Sequence, residues 1–331
     1  MICIEYVKSI LSNVPNKKIS VIGDIVIDHN RILKQKRLSP EAPVIIFVQE
    51  EEEFRPGGAA NVAANLKALG AKCTLISVTG FDRSEVLQYA QLSEYNSLIY
   101  HEKNRLTTVK ERLITRRQQI ARIDIQSNKP ILVDSAERLL EQARSAIEES
   151  DAIVLSDYAH GCCIPELIRP IIEIANKKNI PVVVDSKAKD SFTKYKDATI
   201  ALPNIDEAKL ITHMEDCGDE VLIGRTMLEQ MNLKAVGLTL GPRGILLITE
   251  YDEEYFKTLH DTDHEVVDVT GAGDTVAATV SLGLALGMSY PEIIRLANIT
   301  AGIKVQKRGV AAITEKEILD TVQMFNLEIR K

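Results

Sequence analysis

Short runs of Val, Ile and Leu recur along the chain, separated by longer stretches whose apolar residues return every three or four positions. Ile19–Ile25, Cys73–Val78, Ala152–Leu155, Pro181–Val184, Thr199–Leu202 and Ala235–Leu240 are continuous enough to predict strands buried on both faces. Between them, Ala59–Leu69, Ser135–Glu148, Pro165–Asn179 and Asp206–His213 have helical spacing. That alternation predicts βαβ units and a mostly parallel sheet with helices on both faces. From Gly271 onward the pattern is helical, over Gly271–Leu286, Pro291–Lys307 and Thr314–Phe325. At the start, Ile4, Val7, Ile10, Leu11 and Val14 predict a short amphipathic helix. The segment lacks the basic start and unbroken apolar stretch of a signal peptide.

Two stretches break the rhythm. Asp28–Glu50 and Thr107–Ile125 alternate with a period of two and carry no helical pattern, which predicts a small antiparallel flap. We read these segments, about 28–50 and 105–126, as a lid over a site. The acidic run Glu50–Glu53 is expected to be a solvated turn. No repeat or low-complexity linker divides the sequence, so residues 1–331 are expected to form one α/β domain with a β lid.

Composition narrows the classes. The chain has 331 residues, 45% apolar and 26% charged, close to an ordinary globular protein. A net charge of −7 argues against a generic nucleic-acid binder. No apolar run reaches the roughly 18–20 residues of a membrane span. Five cysteines with no C-x-x-C spacing argue against zinc or redox chemistry and make the reduced cytoplasm the expected compartment. His101, His213, His260 and His264 show no metal-ligand spacing. Asn298-Ile-Thr300 fits a glycosylation acceptor by pattern, but it falls in a helical run.

The strongest chemical signal is Asp268-Val-Thr-Gly-Ala-Gly-Asp274, followed directly by an apolar helix. Gly271, Ala272 and Gly273 at a helix start offer N–H groups and the positive end of the dipole to an anion. Asp274 in the first turn is placed to act as a general base. A second signal is Gly57-Gly58-Ala-Ala-Asn61, paired glycines that permit close approach of a ligand to Asn61. Asp24 and Asp28 lie where the first strand ends, the usual place for ligand contacts in open α/β sheets. They are candidate acceptors for sugar hydroxyls, with capping as the alternative role.

These pieces, in this order and over nearly the whole chain, resemble the ribokinase-like family of carbohydrate kinases. The Gly-Gly-x-x-x-Asn string is similar to one family signature and Asp268–Asp274 to the other; no Walker A string is present. Arg37–Pro43, Arg55–Asn61, Arg117–Asp124, Ser156–Ala159 and Pro203–Glu207 resemble, more narrowly, the D-glycero-β-D-manno-heptose-7-phosphate kinase module of ADP-heptose synthesis for lipopolysaccharide core. In bifunctional relatives an adenylyltransferase domain follows; this chain is expected to hold the kinase step alone, with no His-x-Gly-His string. The resemblance implies Asp274 as catalytic base and Gly271, Ala272 and Gly273 as the anion hole. It implies ATP and Mg²⁺ at Asn204, Ile205, Asp206 and Glu207, with Glu207 holding the metal through water. Asn204 and Glu207 also have the spacing of a capping box. Thr239, Gly241 and Gly244 are similar to the family's nucleotide-side turn. Asp268 is the implied candidate for a monovalent cation.

For the acceptor, Lys110 and Arg112 share one strand face, with Gln118 and Gln119 beyond them. Basic and amide groups together suit a phosphorylated, hydroxyl-rich molecule. Asp185 and Lys187 match the module's Asp-Pro-Lys string except that Ser186 replaces proline. His160 stands where the module has lysine, exchanging a full charge for one that is partial at neutral pH. The implied reaction is ATP-dependent phosphorylation of the anomeric hydroxyl of the heptose 7-phosphate. Alternatives are another sugar or sugar-phosphate kinase of this fold, or a non-catalytic sugar- or nucleotide-binding protein. The expected partners are sugar phosphate and ATP, with neither nucleic acid nor membrane, and the resemblance implies a homodimer through the lid.

Overall fold

The computed structural model describes residues 4–81, 96–115, 118–187, 192–258, 266–307, 309 and 311–328. Arg117, His260 and His264 of the sequence reading, together with Cys3, lie outside these residues. The chain opens with α1 (Ile4–Leu11), whose Val7 and Leu11 are buried, and enters β1 (Lys18–Gly23). A long hairpin follows, β2 (Ile25–Leu38) and β3 (Ile45–Gly58), then α2 (Ala59–Ala68), β4 (Lys72–Gly80) and β5 (Asn96–Glu102). The second lid pair is β6 (Val109–Thr115) and β7 (Gln119–Ile125). Next come α3 (Val133–Glu148), β8 (Ala152–Asp157), α4 (Pro165–Lys178), β9 (Val182–Ser186), β10 (Ile200–Ala201), α5 (Ile205–Thr212) and α6 (Glu220–Gln230). The chain ends with β11 (Ala235–Thr239), β12 (Ile245–Thr249), β13 (Glu253–Phe256), α7 (Ala272–Ala285), α8 (Tyr290–Val305) and α9 (Glu315–Glu328).

Nine strands form the main sheet in the order β13-β12-β11-β10-β9-β8-β1-β4-β5. All pairings from β11 to β5 are parallel, and β12 and β13 are added by antiparallel hairpins. Alternate residues feed two cores, as a period of two requires. Ile19, Val21, Val154 and Val183 face one core with α2, α7 and α8. Ile22, Ile153, Leu155 and Val184 face the other with α3, α4 and α6. Helix α7 is buried on every side from Asp274 to Gly283, so its continuous apolar sequence is that of a central helix rather than an amphipathic one.

The lid differs from its expected form in three ways. It is a mixed four-stranded sheet, β3-β2-β6-β7, because β2 and β6 run parallel while the other two pairs are antiparallel. The hairpin extends back to Ile25 and on to Gly58, beyond the 28–50 boundaries. Glu50–Glu53 is no turn but the exposed middle of β3, where pairing with Asn30–Ile32 satisfies the backbone and the side chains face water. The predicted strand Ile19–Ile25 also divides. Asp24 turns its carboxylate toward the segment after β8, and Ile25 begins the other sheet. Strands β5, β12 and β13 and helix α6 appear without having been predicted.

Candidate active site

The carboxyl ends of β1, β8, β9, β10 and β11 share one edge of the sheet, and the N-terminus of α7 faces that edge. Asp274 sits there, 2% exposed. Its Oδ2 accepts from Asn61 Nδ2 at 2.6 Å and its Oδ1 from the Tyr158 hydroxyl at 2.6 Å. Asn61 arrives on α2, whose small residues Ala59, Ala60 and Ala63 are fully buried. The turn before it needs glycine at Gly58, where φ is +58° and a Cβ would meet the Asp24 carbonyl oxygen at 2.4 Å. Burial pushes the Asp274 carboxyl above the usual carboxylate range, although Tyr158, Asn61 and the charge of Lys187 pull it back.

Of the three N–H groups expected to face an anion, one is engaged within the loop. Ala272 N–H is spent inside the loop, donating to the Val269 carbonyl at 3.2 Å. Gly271 and Gly273 N–H groups have no acceptor among the described residues and stay available at the helix start.

Around this centre the structure gathers Asp185, Lys187, Lys110 and Tyr158. Lys187 Nζ lies 4.2 Å and Lys110 Nζ 5.6 Å from the Tyr158 ring centroid. Burial, with some repulsion from Lys187, lowers the Lys110 pKa. Asp28 pairs with Arg112 across the lid root, so these two neutralise each other and, of the two cations on β6, Lys110 is the one facing Tyr158. Gly57 backs this pair, since a Cβ there would lie 2.7 Å from Asp28 Oδ2.

Asp185 Oδ2 is buried with no hydrogen-bond partner among the described residues. Burial, with the charge of Asp274, pushes the Asp185 carboxyl up to about 7. The folded protein therefore holds a proton that the unfolded chain releases, and stability contributed by this group declines as pH rises from about 4 to about 7. Asp185→Asn is expected to raise Tm at pH 8 and leave it unchanged near pH 4. Calorimetry across that range checks this, and a lower Tm at pH 8 would refute it.

The nucleotide-side residues come together separately. Asn204 forms a parallel bridge with Thr239, which places Asn204–Glu207 beside Thr239–Gly241. The capping box is present: Asn204 Oδ1 accepts from Glu207 N–H and Glu207 Oε2 from Asn204 N–H, both at 2.8 Å. Ile205 is directed into the core instead of toward a ligand, while Asp206 is exposed. Gly241 has open space where a Cβ would stand. Gly244 plays a packing part instead: a Cβ would meet the Phe256 carbonyl oxygen at 1.9 Å.

Several expected residues are placed elsewhere or used otherwise. Asp24, a candidate acceptor for sugar hydroxyls, is buried and engaged by backbone. Its carboxylate accepts the N–H groups of Tyr158, His160 and Cys162 at 2.9, 3.0 and 2.9 Å, holding the loop after β8. Burial and the charge of Asp157 raise its pKa to about 6. Gln118 and Gln119 lie at the far tip of the lid, where Gln119 pairs with Ile114, about 13 Å along the strand from Lys110 at roughly 3.3 Å per residue. His160 is not partly charged at neutral pH, because burial and Lys110 lower its pKa to about 4. Asp268 accepts N–H from Thr270 at 2.9 Å and Gly309 at 2.7 Å.

Tyr158 is the residue of this cluster that residue-by-residue reading missed. Its only signal was its place in Ser156–Ala159, just past a strand end. A cavity of about 920 Å³, lined by Asn176, Asp197, Asn232, Tyr251 and Tyr290 among others, opens at the opposite, amino end of the strands. It shares no residue with the Asp274 cluster.

No cluster of three or more metal-ligating side chains occurs among the described residues. Mg²⁺ keeps several waters and takes one or two carboxylates plus phosphate oxygens. The orphaned Asp185 Oδ2 and the nearby charge of Glu207 supply such a set.

Residues 16–317 match the pfkB family carbohydrate kinase description. The bifunctional protein HldE of Koribacter versatilis is 34% identical over 323 residues, which are 96% of this chain and 65% of that protein. The chain thus spans a little under two thirds of that relative's length. Arabidopsis thaliana ribokinase complexed with ribose and ATP superposes with a TM-score of 0.70 at 18% identity, over 93% of this chain and 98% of that one. Escherichia coli phosphofructokinase-2 in complex with potassium gives 0.74 at 18% identity, over 94% and 99%. The fold is therefore ribokinase-like. With the family match covering most of its length, the chain belongs to the pfkB family of carbohydrate kinases and is an ATP-dependent sugar kinase.

Proposed function

We propose that the chain phosphorylates the anomeric hydroxyl of D-glycero-β-D-manno-heptose 7-phosphate, giving the 1,7-bisphosphate on the way to ADP-heptose. The observation that carries this reading is the convergence on Tyr158 of two ammonium groups, Lys110 and Lys187, beside the buried Asp274. Such a pair suits phosphate oxygens, whether of a phosphorylated sugar or of the transferring group. The likeness to HldE over the kinase-length portion supports the same substrate.

In the reaction Asp274 takes the hydroxyl proton as the sugar oxygen bonds to the γ-phosphorus of ATP and the bond to ADP breaks. The Gly271 and Gly273 N–H groups carry charge that builds on the transferring group, where fixed donors act most strongly. Asp185 and Glu207 would hold Mg²⁺ through water, and the ion would supply charge neutralisation of the phosphates. Tyr158 and Asn61 fix the orientation of the base. Tyr158→Phe removes one donor to Asp274 and is expected to lower kcat roughly tenfold while moving the acid limb of the pH profile upward. An unshifted limb with unchanged kcat would contradict that role.

The deciding experiment is a coupled ADP-release assay with heptose 7-phosphate, ribose, fructose and fructose 6-phosphate. The highest kcat/KM on the heptose phosphate upholds the proposal; preference for any other sugar overturns it. One observation favours an unphosphorylated sugar as a second reading, namely that His160 is neutral where the heptose kinases have lysine. The compartment proposed is the cytoplasm; no helix among the described residues is long and apolar enough to cross a membrane. We also propose a homodimer through the lid, whose Leu38, Val44, Ile45, Val48, Ile120 and Ile123 are exposed. Sedimentation analysis tests it, and a monomer at micromolar concentration would exclude it.

A further inference from the structure

The segment that joins β5 to the lid carries a buried ion pair. Strand β5 ends at Glu102, and Asn104, with φ +66°, turns the chain so that Arg105 folds back over it. Arg105 Nε donates to Glu102 Oε2 at 3.1 Å, and both side chains are buried. Burying two charges is costly unless further hydrogen bonds support them, and here they do. Glu102 Oε1 accepts from the Leu132 N–H and the Ser135 hydroxyl, both at 2.8 Å. The other two guanidinium nitrogens reach backbone: Nη1 donates to the His160 carbonyl at 3.1 Å and Nη2 to the Lys129 carbonyl at 2.6 Å.

Those two carbonyls belong to segments that frame the site. His160 lies just past Tyr158, in the loop whose N–H groups Asp24 also holds. Lys129 follows the exit of lid strand β7, and Arg105 itself precedes lid strand β6, which carries Lys110. Arg105 therefore ties the root of the lid to the loop that brings the Tyr158 hydroxyl onto Asp274. The two segments meet closely. Ile131 N–H donates to the Gly161 carbonyl at 2.9 Å, and a Cβ on Gly161 would stand 2.1 Å from the Lys129 carbonyl oxygen. His160 Nδ1 adds a contact of 3.0 Å with Asn128 Oδ1. Lysine has one nitrogen for the three acceptors that Arg105 reaches, and it lacks the rigid fork.

We propose that Arg105 is a positioning residue for phosphoryl transfer, setting Lys110 on the lid and Tyr158 on its loop in one frame. The sugar is then held where Asp274 faces its hydroxyl. Arg105 touches no reacting atom and acts through the lid root and Tyr158. None of the hydrogen bonds that link it to the site involves Asn204–Glu207 or Thr239, so ATP binding lies outside its effect. The idea rests on the kinase reading for its turnover measurements only.

The test is kinetic. Arg105→Lys keeps a charge opposite Glu102 and gives up the fork. Its kcat is expected to fall roughly tenfold and its KM for the preferred sugar to rise several-fold, with KM for ATP within about twofold of wild type. In the Tyr158→Phe background the same substitution should cost less than about twofold in kcat, because the hydroxyl it positions is already gone. A merely structural role would lower Tm and leave kcat and both KM values alone, and that result overturns the proposal. So does a loss in kcat that multiplies in full with that of Tyr158→Phe, or a rise in KM for ATP as large as that for the sugar. Should Arg105→Lys fail to fold, Glu102→Gln, which keeps the shape without the charge, replaces it. That variant is expected to move kcat and sugar KM in the same directions by about two- to fivefold, and wild-type values for both overturn the proposal. If no sugar is turned over, the kinase reading fails by itself, and amide hydrogen exchange decides the positioning. Faster exchange in Arg105→Lys over residues 158–163 and 109–115, with 235–239 unchanged, upholds it. A change spread evenly over all three segments, or none, overturns it.

Discussion

Asp274→Asn is expected to lower kcat by roughly 10²–10⁴, the range for loss of a general base, with KM for ATP nearly unchanged. In the proposed reaction the carboxylate takes the hydroxyl proton, and an amide of the same shape cannot. The local geometry sharpens the expectation. Asp274 accepts from two donors at once, the Asn61 amide and the Tyr158 hydroxyl. In the variant the Asn61 amide can still donate to the amide oxygen and the Tyr158 hydroxyl can turn to accept from the NH₂ group, so what is lost is the charge and the basic oxygen. Folding should survive, because burial already raises the pKa of this carboxyl and the charge is expensive to keep. Steady-state kinetics with the preferred sugar, beside a melting curve, separates these effects. Turnover near the wild-type level would remove Asp274 from the mechanism.

The largest expected effect on stability lies just below the site, at the end of β8. Asp157 is 1% exposed, and its Oδ2 binds the Lys194 ammonium at 2.7 Å and the Tyr195 hydroxyl. Its Oδ1 accepts the Ala159 N–H at 2.7 Å. Asp157→Ala leaves a buried ammonium without a counter-charge, a change that typically costs about 3–5 kcal/mol. That is a large share of a typical folding stability of about 5–15 kcal/mol. Lys194→Met in the same chain should return much of the loss, because the unpaired charge is then gone. Denaturant titration of the single and double variants measures both. A loss below about 1 kcal/mol for Asp157→Ala would place the pair among weak surface bridges. The same carboxylate braces the loop carrying Tyr158, so a destabilised variant that still folds should also be slower.

Two kinds of information were legible in the sequence. The α/β class followed from period: continuous apolar strands between helical spacings leave few alternatives to a covered parallel sheet. The candidate base followed from local covalent order. Glycines, a helix start and an acid within seven residues compose most of an anion site without distant help. Boundaries near Asp24 and within β3 were not legible, because exposed lid strands lack a buried face to impose a pattern. Asp24 itself reads equally well as ligand or clamp until the loop at Tyr158 is seen closing on it.

What the sequence determined by itself is the fold class and the place of Asp274 and the glycine-rich turn as candidates for a base and an anion site. Each depends on residues close along the chain. The tertiary structure alone decided which distant residues meet. Asn61 and Tyr158 reach Asp274 across 213 and 116 positions. Gln119 is sent to the lid tip. Burial did the rest. It cannot be read from residue type, yet it raises Asp185 to about 7, lowers His160 to about 4 and encloses Lys304 completely.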